Sequence, residues 1–102
     1  MASSPEYLEY VLELLSGVPE ITTRKMMGEY LLYASGKLFG GVYDDRFLVK
    51  DTEAARAVLS AEEMPYDGAQ PMLVVDVEDP EAITDLVMRM LPELPKPKKR
   101  SR

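Results

Sequence analysis

The sequence contains neither cysteine nor histidine. Without cysteine the chain can form no disulfide and has no thiol nucleophile, and without either residue the usual structural zinc sites are excluded. Without histidine, neither a Ser-His-Asp nor a Cys-His arrangement can exist, so any catalysis would rest on carboxylates, lysine, tyrosine or serine. The sequence therefore predicts a protein that is not an enzyme and that binds no metal or cofactor, with an enzyme built on two acidic side chains that converge in a pocket as the alternative.

Long apolar runs are also absent. No stretch approaches the roughly 20 apolar residues that span a bilayer. Residues 1–6 have neither the basic nor the apolar region of a secretory signal, so we expect a cytoplasmic protein. With 102 residues, of which 46% are hydrophobic and 29% charged, the composition predicts one globular domain over residues 1–95 and a short tail.

Positive charge is scarce outside that tail. The net charge is -6, yet five basic residues and no acidic one follow residue 95: Lys96, Lys98, Lys99, Arg100 and Arg102. Residues 1–95 hold the other seven basic residues and all 18 acidic ones, which gives them a net charge of -11. Such a surface repels a phosphate backbone. We predict that the tail, residues 96–102, is disordered and either makes weak, salt-sensitive contacts with nucleic acid or serves as a solubility extension.

Two segments begin with a capping residue followed by proline, which is typical of a helix start. The first is Ser4-Pro5-Glu6, with Ser3 as the cap in an alternative register, and the second is Asp79-Pro80. Gly17 ends the first predicted helix and Pro92 ends the last. Apolar residues at helical spacing follow both starts, at Leu8, Val11, Leu12 and Leu15 and at Ile83, Leu86, Val87, Met90 and Leu91.

The middle of the chain predicts an antiparallel meander of three strands, at residues 30–34, 38–43 and 46–50. The residues between them, Ser35-Gly36 and Asp44-Asp45, are suited to tight turns. An earlier strand over residues 24–27 would extend the sheet by one.

A short helix is expected after the meander, with either Asp51 or Thr52 as its cap. Its predicted buried stripe consists of Ala54, Ala55, Val58 and Leu59. Residues 60–71 have the composition of a loop, in which residues 64–66 are a candidate edge strand. Residues 72–77 form a predicted strand whose apolar start indicates either burial on both faces or a central place in the sheet. The order α-β-β-β-α-β-α predicts an α+β fold, with helices on one face of a mostly antiparallel sheet and room for extra short strands.

Three patterns that can indicate chemistry have structural explanations. Gly40-Gly41 interrupts a predicted strand, which favours a bulge or the close approach of a helix backbone over a pair of ligand-facing glycines. Asp44-Asp45 is explained by turn geometry, since adjacent turn residues point apart and the patterned loop of a hard-cation site is missing. Gly36-Lys37 lacks the second glycine and the Ser/Thr of a phosphate-binding loop.

One longer pattern resembles a known family. The segment Arg24-Lys25-Met26-Met27-Gly28-Glu29-Tyr30-Leu31-Leu32-Tyr33 is similar to the R-x-M-[FM]-G-x-Y-x-[LI]-Y opening of TfoX N-terminal domains. Residues 36–50 resemble the continuation, G-K-x-F-[GA]-x-[VI]-x-D-[DR]-x-[FL]-x-[VL]-K, and Pro65-Tyr66 and Asp79-Pro80-Glu81 match later landmarks.

The resemblance implies an α+β fold similar to that of type III secretion chaperones. It also implies kinship with regulators of natural competence, which act alongside a transcription factor to switch on DNA-uptake genes. Those regulators carry a second, C-terminal domain, and the resemblance covers the first. We therefore expect a small regulatory or adaptor domain whose partner is a protein, such as a transcription factor or the transcription machinery, with a homodimer and nucleic-acid binding through the tail as alternatives.

The candidate partner-binding residues lie in the opening motif: Arg24, Lys25, Met26, Met27 and Tyr30. In this interpretation two basic side chains flank an adaptable methionine surface that binds a protein. The alternative is a strand whose charges are solvated and whose methionines fill the core.

Overall fold

The computed structural model describes residues 4–26, 28–65 and 68–94 of the chain. Within these residues helices cover one side of a six-stranded sheet, so the predicted α+β fold is confirmed. The elements in chain order are α1 at Pro5–Leu14, β1 at Ile21–Met26, β2 at Glu29–Ala34, β3 at Lys37–Val42, β4 at Phe47–Val49, α2 at Glu53–Val58, β5 at Glu62–Glu63, β6 at Met72–Val74 and α3 at Pro80–Met90, which continues into a 3-10 turn at Leu91–Glu93.

The strands are ordered β1-β2-β3-β4-β6-β5, and every neighbouring pair is antiparallel. The predicted meander is present, and the strand suggested at residues 24–27 exists as β1, which begins earlier, at Ile21. The candidate edge strand at 64–66 is wrong: β5 forms upstream at Glu62–Glu63, and Pro65 has no N–H to donate to a ladder. Tyr66 lies outside the described residues. β6 is shorter than predicted but pairs on both sides, with β4 and β5.

Both helices that begin with proline are capped as the sequence predicts. The hydroxyl of Ser4 accepts a hydrogen bond from the Tyr7 N–H at 3.1 Å. The carboxylate of Asp79 accepts one from the Glu81 N–H at 3.2 Å. These contacts satisfy donors that have no partner inside the helix, and they fix where each helix starts.

The helices bury one face of the sheet, which we call the helix face. Leu32, Phe39 and Val49 from the strands are fully buried there. The helical side chains that complete the core are Val11, Leu14 and Leu15 of the first helix and its end and Ile83, Leu86, Val87 and Met90 of α3. The predicted apolar stripes are therefore confirmed, with Leu8, Leu12 and Leu91 packed at the margin of this core.

The predicted stripe of α2 is wrong at one position. Val58 is 52% exposed, whereas Leu59 is 2% exposed and belongs to the core. α2 has six residues and ends at Val58, and Leu59 has an extended backbone with φ of -112°. Val58 therefore lies on the outward side of the last helical turn, and Leu59 reaches the core from the extended segment that follows the helix.

Gly40 and Gly41 serve the bulge that the sequence suggested. Leu32 pairs with Gly40 but Tyr33 pairs with Leu38, so β3 has one extra residue at Phe39. A Cβ atom on Gly40 would lie 2.3 Å from the Leu48 carbonyl oxygen, and one on Gly41 would lie 2.7 Å from the Tyr30 carbonyl oxygen. The close approach thus comes from neighbouring strands and not from a helix.

The substitution Gly40→Ala should destabilise the protein by about 1–3 kcal/mol, because the Leu48 backbone cannot move without breaking the ladder between β3 and β4. Gly17→Ala is the matched control, since its new methyl group meets the Thr84 hydroxyl, at 2.6 Å, which can rotate away. Urea unfolding of both variants measures the difference. An equal or smaller loss for Gly40→Ala would contradict the role given to the bulge.

α2 receives a second cap from a distant residue. The Glu93 carboxylate accepts hydrogen bonds from the N–H groups of Glu53, at 2.8 Å, and Ala54, at 3.0 Å. The Thr52 hydroxyl accepts from the Ala55 N–H at 3.1 Å, so Thr52 is the cap that the sequence left open against Asp51. The 3-10 turn after α3 is thereby joined to the start of α2.

We expect Glu93→Ala to lower the free energy of unfolding by about 0.5–2 kcal/mol, the usual cost of losing a helix cap. Glu13→Ala, at an exposed position within α1, should change it by less than about 0.5 kcal/mol. Thermal or urea unfolding gives both values. If the two variants lose the same stability, Glu93 does not act as a cap.

Candidate functional site

Strand β1 is an edge strand that the helices do not cover. It pairs with β2, and its outer side has no neighbouring strand among the described residues. Five of its six residues are exposed, and Ile21 is half-buried against the core. β2, by contrast, alternates between half-buried and buried residues along its whole length. Both faces of β1 and its free edge are therefore accessible.

Three of the five predicted partner-binding residues come together on this strand. Arg24 and Lys25 are exposed, and Met26 is 49% exposed. The alternative in which this methionine fills the core is therefore wrong for Met26. Met27 lies outside the described residues.

Tyr30 does not belong to this surface. It is 9% exposed and packs in the core cluster, because it shares the helix face of β2 with Leu32 and Ala34. Its inclusion among the partner-binding residues is corrected on this ground. Its cross-strand neighbour on β1 is Lys25, so the tyrosine supports that strand from the core side.

The basic side chains of β1 have no ion-pair partner in the described residues, whereas most of the other basic side chains are held by one or more partners. Arg46 pairs with Glu63, Arg56 with Asp51 and Glu62, and Arg89 with Asp85. Lys37 donates a hydrogen bond to the Leu91 carbonyl oxygen at 2.9 Å. Within the described residues neither Arg24 nor Lys25 has an ion-pair partner, so their charge is presented to solvent.

The backbone of β1 alternates in the direction of its hydrogen-bonding groups. Glu20 accepts a hydrogen bond from the Ser35 N–H at 3.1 Å, which continues the register in which Ile21 lies opposite Ala34. Hydrogen-bonded pairs recur at every second residue of an antiparallel ladder. Arg24 therefore turns its N–H and C=O toward β2, whereas Thr23 and Lys25 direct theirs outward from the sheet.

Side chains alternate as well, and this places the two cations on different faces. Lys25 lies on the helix face, since it pairs with Tyr30. Arg24 and Met26 lie on the opposite face, where Arg24 pairs with the half-buried Leu31. A segment bound along β1 would therefore meet a positive charge on each side of the sheet.

A cavity of about 410 Å³ lies between β3, residues 50–51 and residues 69–72. Lys50 and Asp51 are the charged side chains in its lining. Asp51 accepts two hydrogen bonds from Arg56, at 2.6 and 2.8 Å, and these lower the pKa of the Asp51 carboxyl. Its charge is thus committed to Arg56, and the cavity does not bring two free carboxylates together.

The acidic turn at Asp44-Asp45 has a structural role, because its residues form hydrogen bonds with other segments of the chain. Asp44 and Asp45 have φ of 53° and 57°, the left-handed geometry predicted for this turn. The Asp45 carboxylate accepts from the Ser4 N–H at 2.8 Å, and the Asp44 N–H donates to the Glu29 carboxylate at 3.0 Å. No group of three or more acidic residues in the described chain is arranged to hold a metal ion.

Two further predictions from the sequence concern the basic tail and the membrane. The basic tail, from Lys96 to Arg102, lies outside the described residues, so its contact with nucleic acid stays a prediction. Among the helices that the structure describes, none has the length and apolar character to cross a membrane.

Comparison with known proteins agrees with the motif pattern. The family described as the TfoX N-terminal domain matches residues 13–87, a range that includes all of β1 to β6. A protein of Spirochaeta aurantia, named as an uncharacterised 12.7 kDa protein in the trpE 5′ region, is 34% identical over 104 residues. The alignment covers 98% of this chain and 90% of that relative. The chain belongs to the TfoX N-terminal domain family.

Proposed function

We propose that this chain is a small, non-catalytic regulatory or adaptor domain of the cytoplasm, which acts by binding another protein along β1. The observation that carries the proposal is the exposure of this strand on both faces and along its free edge. Strand edges of this kind bind extended segments of partner proteins, because main-chain hydrogen bonds give affinity and alternate side chains give specificity.

The two edges of the sheet support this assignment by their difference. Proteins protect strand edges by keeping them short, by charged side chains, or by covering them. β5, at one edge, has two residues, and both of its glutamates are held in ion pairs, with Arg56 and Arg46. β1, at the other edge, has six residues, contains no proline, and carries unpaired cations in the described structure. The β5 edge is short and its charges are neutralised within the domain, whereas β1 is longer and its two cations stay available to a partner of opposite charge.

Family membership supports the kind of process in which the domain works. The resemblance to competence regulators favours a partner in transcription regulation, such as a transcription factor or the transcription machinery. The S. aurantia relative carries no functional name, so it adds support for the fold and none for the pathway. The alternatives to this proposal are a homodimer through β1 and nucleic-acid binding through the tail.

The double substitution Arg24→Glu with Lys25→Glu should leave the fold intact. Both side chains are exposed, so we expect the free energy of unfolding to change by less than about 0.5 kcal/mol. Leu32→Ala, in the core below, should cost about 2–5 kcal/mol. Urea unfolding compares them, and a loss in the double variant similar to that of Leu32→Ala would mean that β1 has a structural role instead.

Affinity capture from nuclease-treated cell lysate tests the function. Tagged wild-type chain, the double variant, Lys50→Glu as a control at a distant cation, and residues 1–95 are compared by quantitative mass spectrometry. We expect a defined protein to be retained by wild type, Lys50→Glu and residues 1–95, and to be lost from the double variant.

Two results would contradict the proposal. Retention of the same partners by the double variant would exclude β1 as the binding surface. Partners that depend on residues 96–102 and disappear after nuclease treatment would favour nucleic-acid association through the tail, whose strength should fall steeply with salt.

A further inference from the structure

We infer that the partner segment is an extended, acidic stretch of protein that adds to β1 as a seventh, antiparallel strand of the six-stranded sheet. Two consecutive carboxylate side chains of this segment would lie against Lys25 and Arg24. The inference rests on the proposed function and names the chemistry of the partner.

The backbone geometry favours strand addition. Thr23 and Lys25 direct their N–H and C=O groups away from β2, in the spacing that an antiparallel strand can pair with. Each of these residues can exchange two hydrogen bonds with the incoming strand. The ladder that already joins β1 to β2 holds these groups in line, so a partner segment meets a prearranged edge.

The side-chain order on β1 sets a complementary order on the partner. In an antiparallel pair, successive partner residues lie opposite Met26, Lys25 and Arg24, on alternating faces of the sheet. An apolar residue suits the exposed Met26, and a carboxylate suits each of the two cations. The segment read from its N-terminal end is therefore apolar, acidic, acidic.

Charge favours this partner over others. Arg24 and Lys25 are the only adjacent basic residues in residues 1–95, a region with 7 basic and 18 acidic residues. At physiological salt, charges interact over a Debye length of roughly 8 Å, so a bound strand responds to these cations more than to the acidic body.

A second copy of this chain is a poorer occupant. Antiparallel pairing of two β1 strands would bring both copies of Arg24 and Lys25 into one interface, and like charges at neighbouring cross-strand positions are destabilising. The acidic edge strand β5 is no better, since its two carboxylates already pair with Arg46 and Arg56. The chain's own tail carries the same sign of charge as β1 and would be repelled.

Nucleic acid is also disfavoured at this edge. Specific or non-specific binding to a duplex commonly uses about 6–10 phosphate contacts. β1 offers two cations, and the rest of the domain repels a polyanion. A single extended segment of protein that carries two carboxylates needs only these two cations as charged partners.

Fluorescence anisotropy with designed peptides tests the inference on the full chain. The probe is a labelled peptide of alternating threonine and valine with two central glutamates, and matched peptides carry glutamines or lysines at those places. We expect the glutamate peptide to bind about tenfold more tightly than the glutamine peptide, and the difference to shrink with added salt. A glutamate peptide methylated on the backbone nitrogens that would face β1 should not bind.

Reversal of the charges on β1 and on the peptide provides the most specific control. The double variant Arg24→Glu with Lys25→Glu should lose the glutamate peptide and gain the lysine peptide, whereas Lys50→Glu should behave as wild type. In amide NMR spectra, the glutamate peptide should shift the signals of Thr23 and Lys25 more than those of Lys50.

Several outcomes would overturn the inference. They are equal binding of the glutamate and glutamine peptides, unchanged glutamate binding by the double variant, a duplex DNA probe that displaces the peptide, or a dimer in sedimentation that the double variant abolishes. If the peptides fail while a captured protein still depends on Arg24 and Lys25, the inference is wrong and the proposed function stands. If that captured protein is missing as well, both are wrong.

Discussion

The burial of α3 against the helix face of the sheet is the constraint on which the other features depend. Ile83, Leu86, Val87 and Met90 are all buried there, and they pack with the inward side chains of the strands. The inward side chains of β2, β3, β4 and β6 are buried beneath this layer, whereas on β1 only Ile21 packs against the core. Since β1 gains little from the core, its order depends on the ladder with β2. The same limit on coverage leaves six residues of edge open to solvent.

A β-bulge, a helix cap and two ion pairs stabilise the part of the sheet that the helices cover. The bulge at Phe39 brings that side chain onto the helix face, and Gly40 makes room for the backbone of β4 beside it. Glu93 joins the end of α3 to the start of α2. At the far edge, ion pairs close β5. These contacts stabilise one end of the sheet, and the surface available for a partner is left at the other.

The sequence predicted elements whose signals are local. Proline beside a capping residue located α1 and α3, and Ser35-Gly36 and Asp44-Asp45 located two turns. The motif that opens at Arg24 indicated both the strand β1 and the family to which the chain belongs. Tyr30 was misassigned although its alternation with Leu32 and Ala34 could have placed it in the core. Features set by distant contacts could not be read from the sequence: two-residue β5 has no periodicity, and the cap on α2 comes from about 40 residues away, between Glu53 and Glu93.

Amide hydrogen exchange along β1 measures whether this strand presents an open edge. We predict an alternating pattern at all protein concentrations: slow exchange at Thr22 and Arg24, whose N–H groups face β2, and fast exchange at Thr23 and Lys25. Protection of Thr23 and Lys25 equal to that of their neighbours, in the isolated chain at low concentration, would show that the edge is already covered. β1 would then not be the surface that binds a partner.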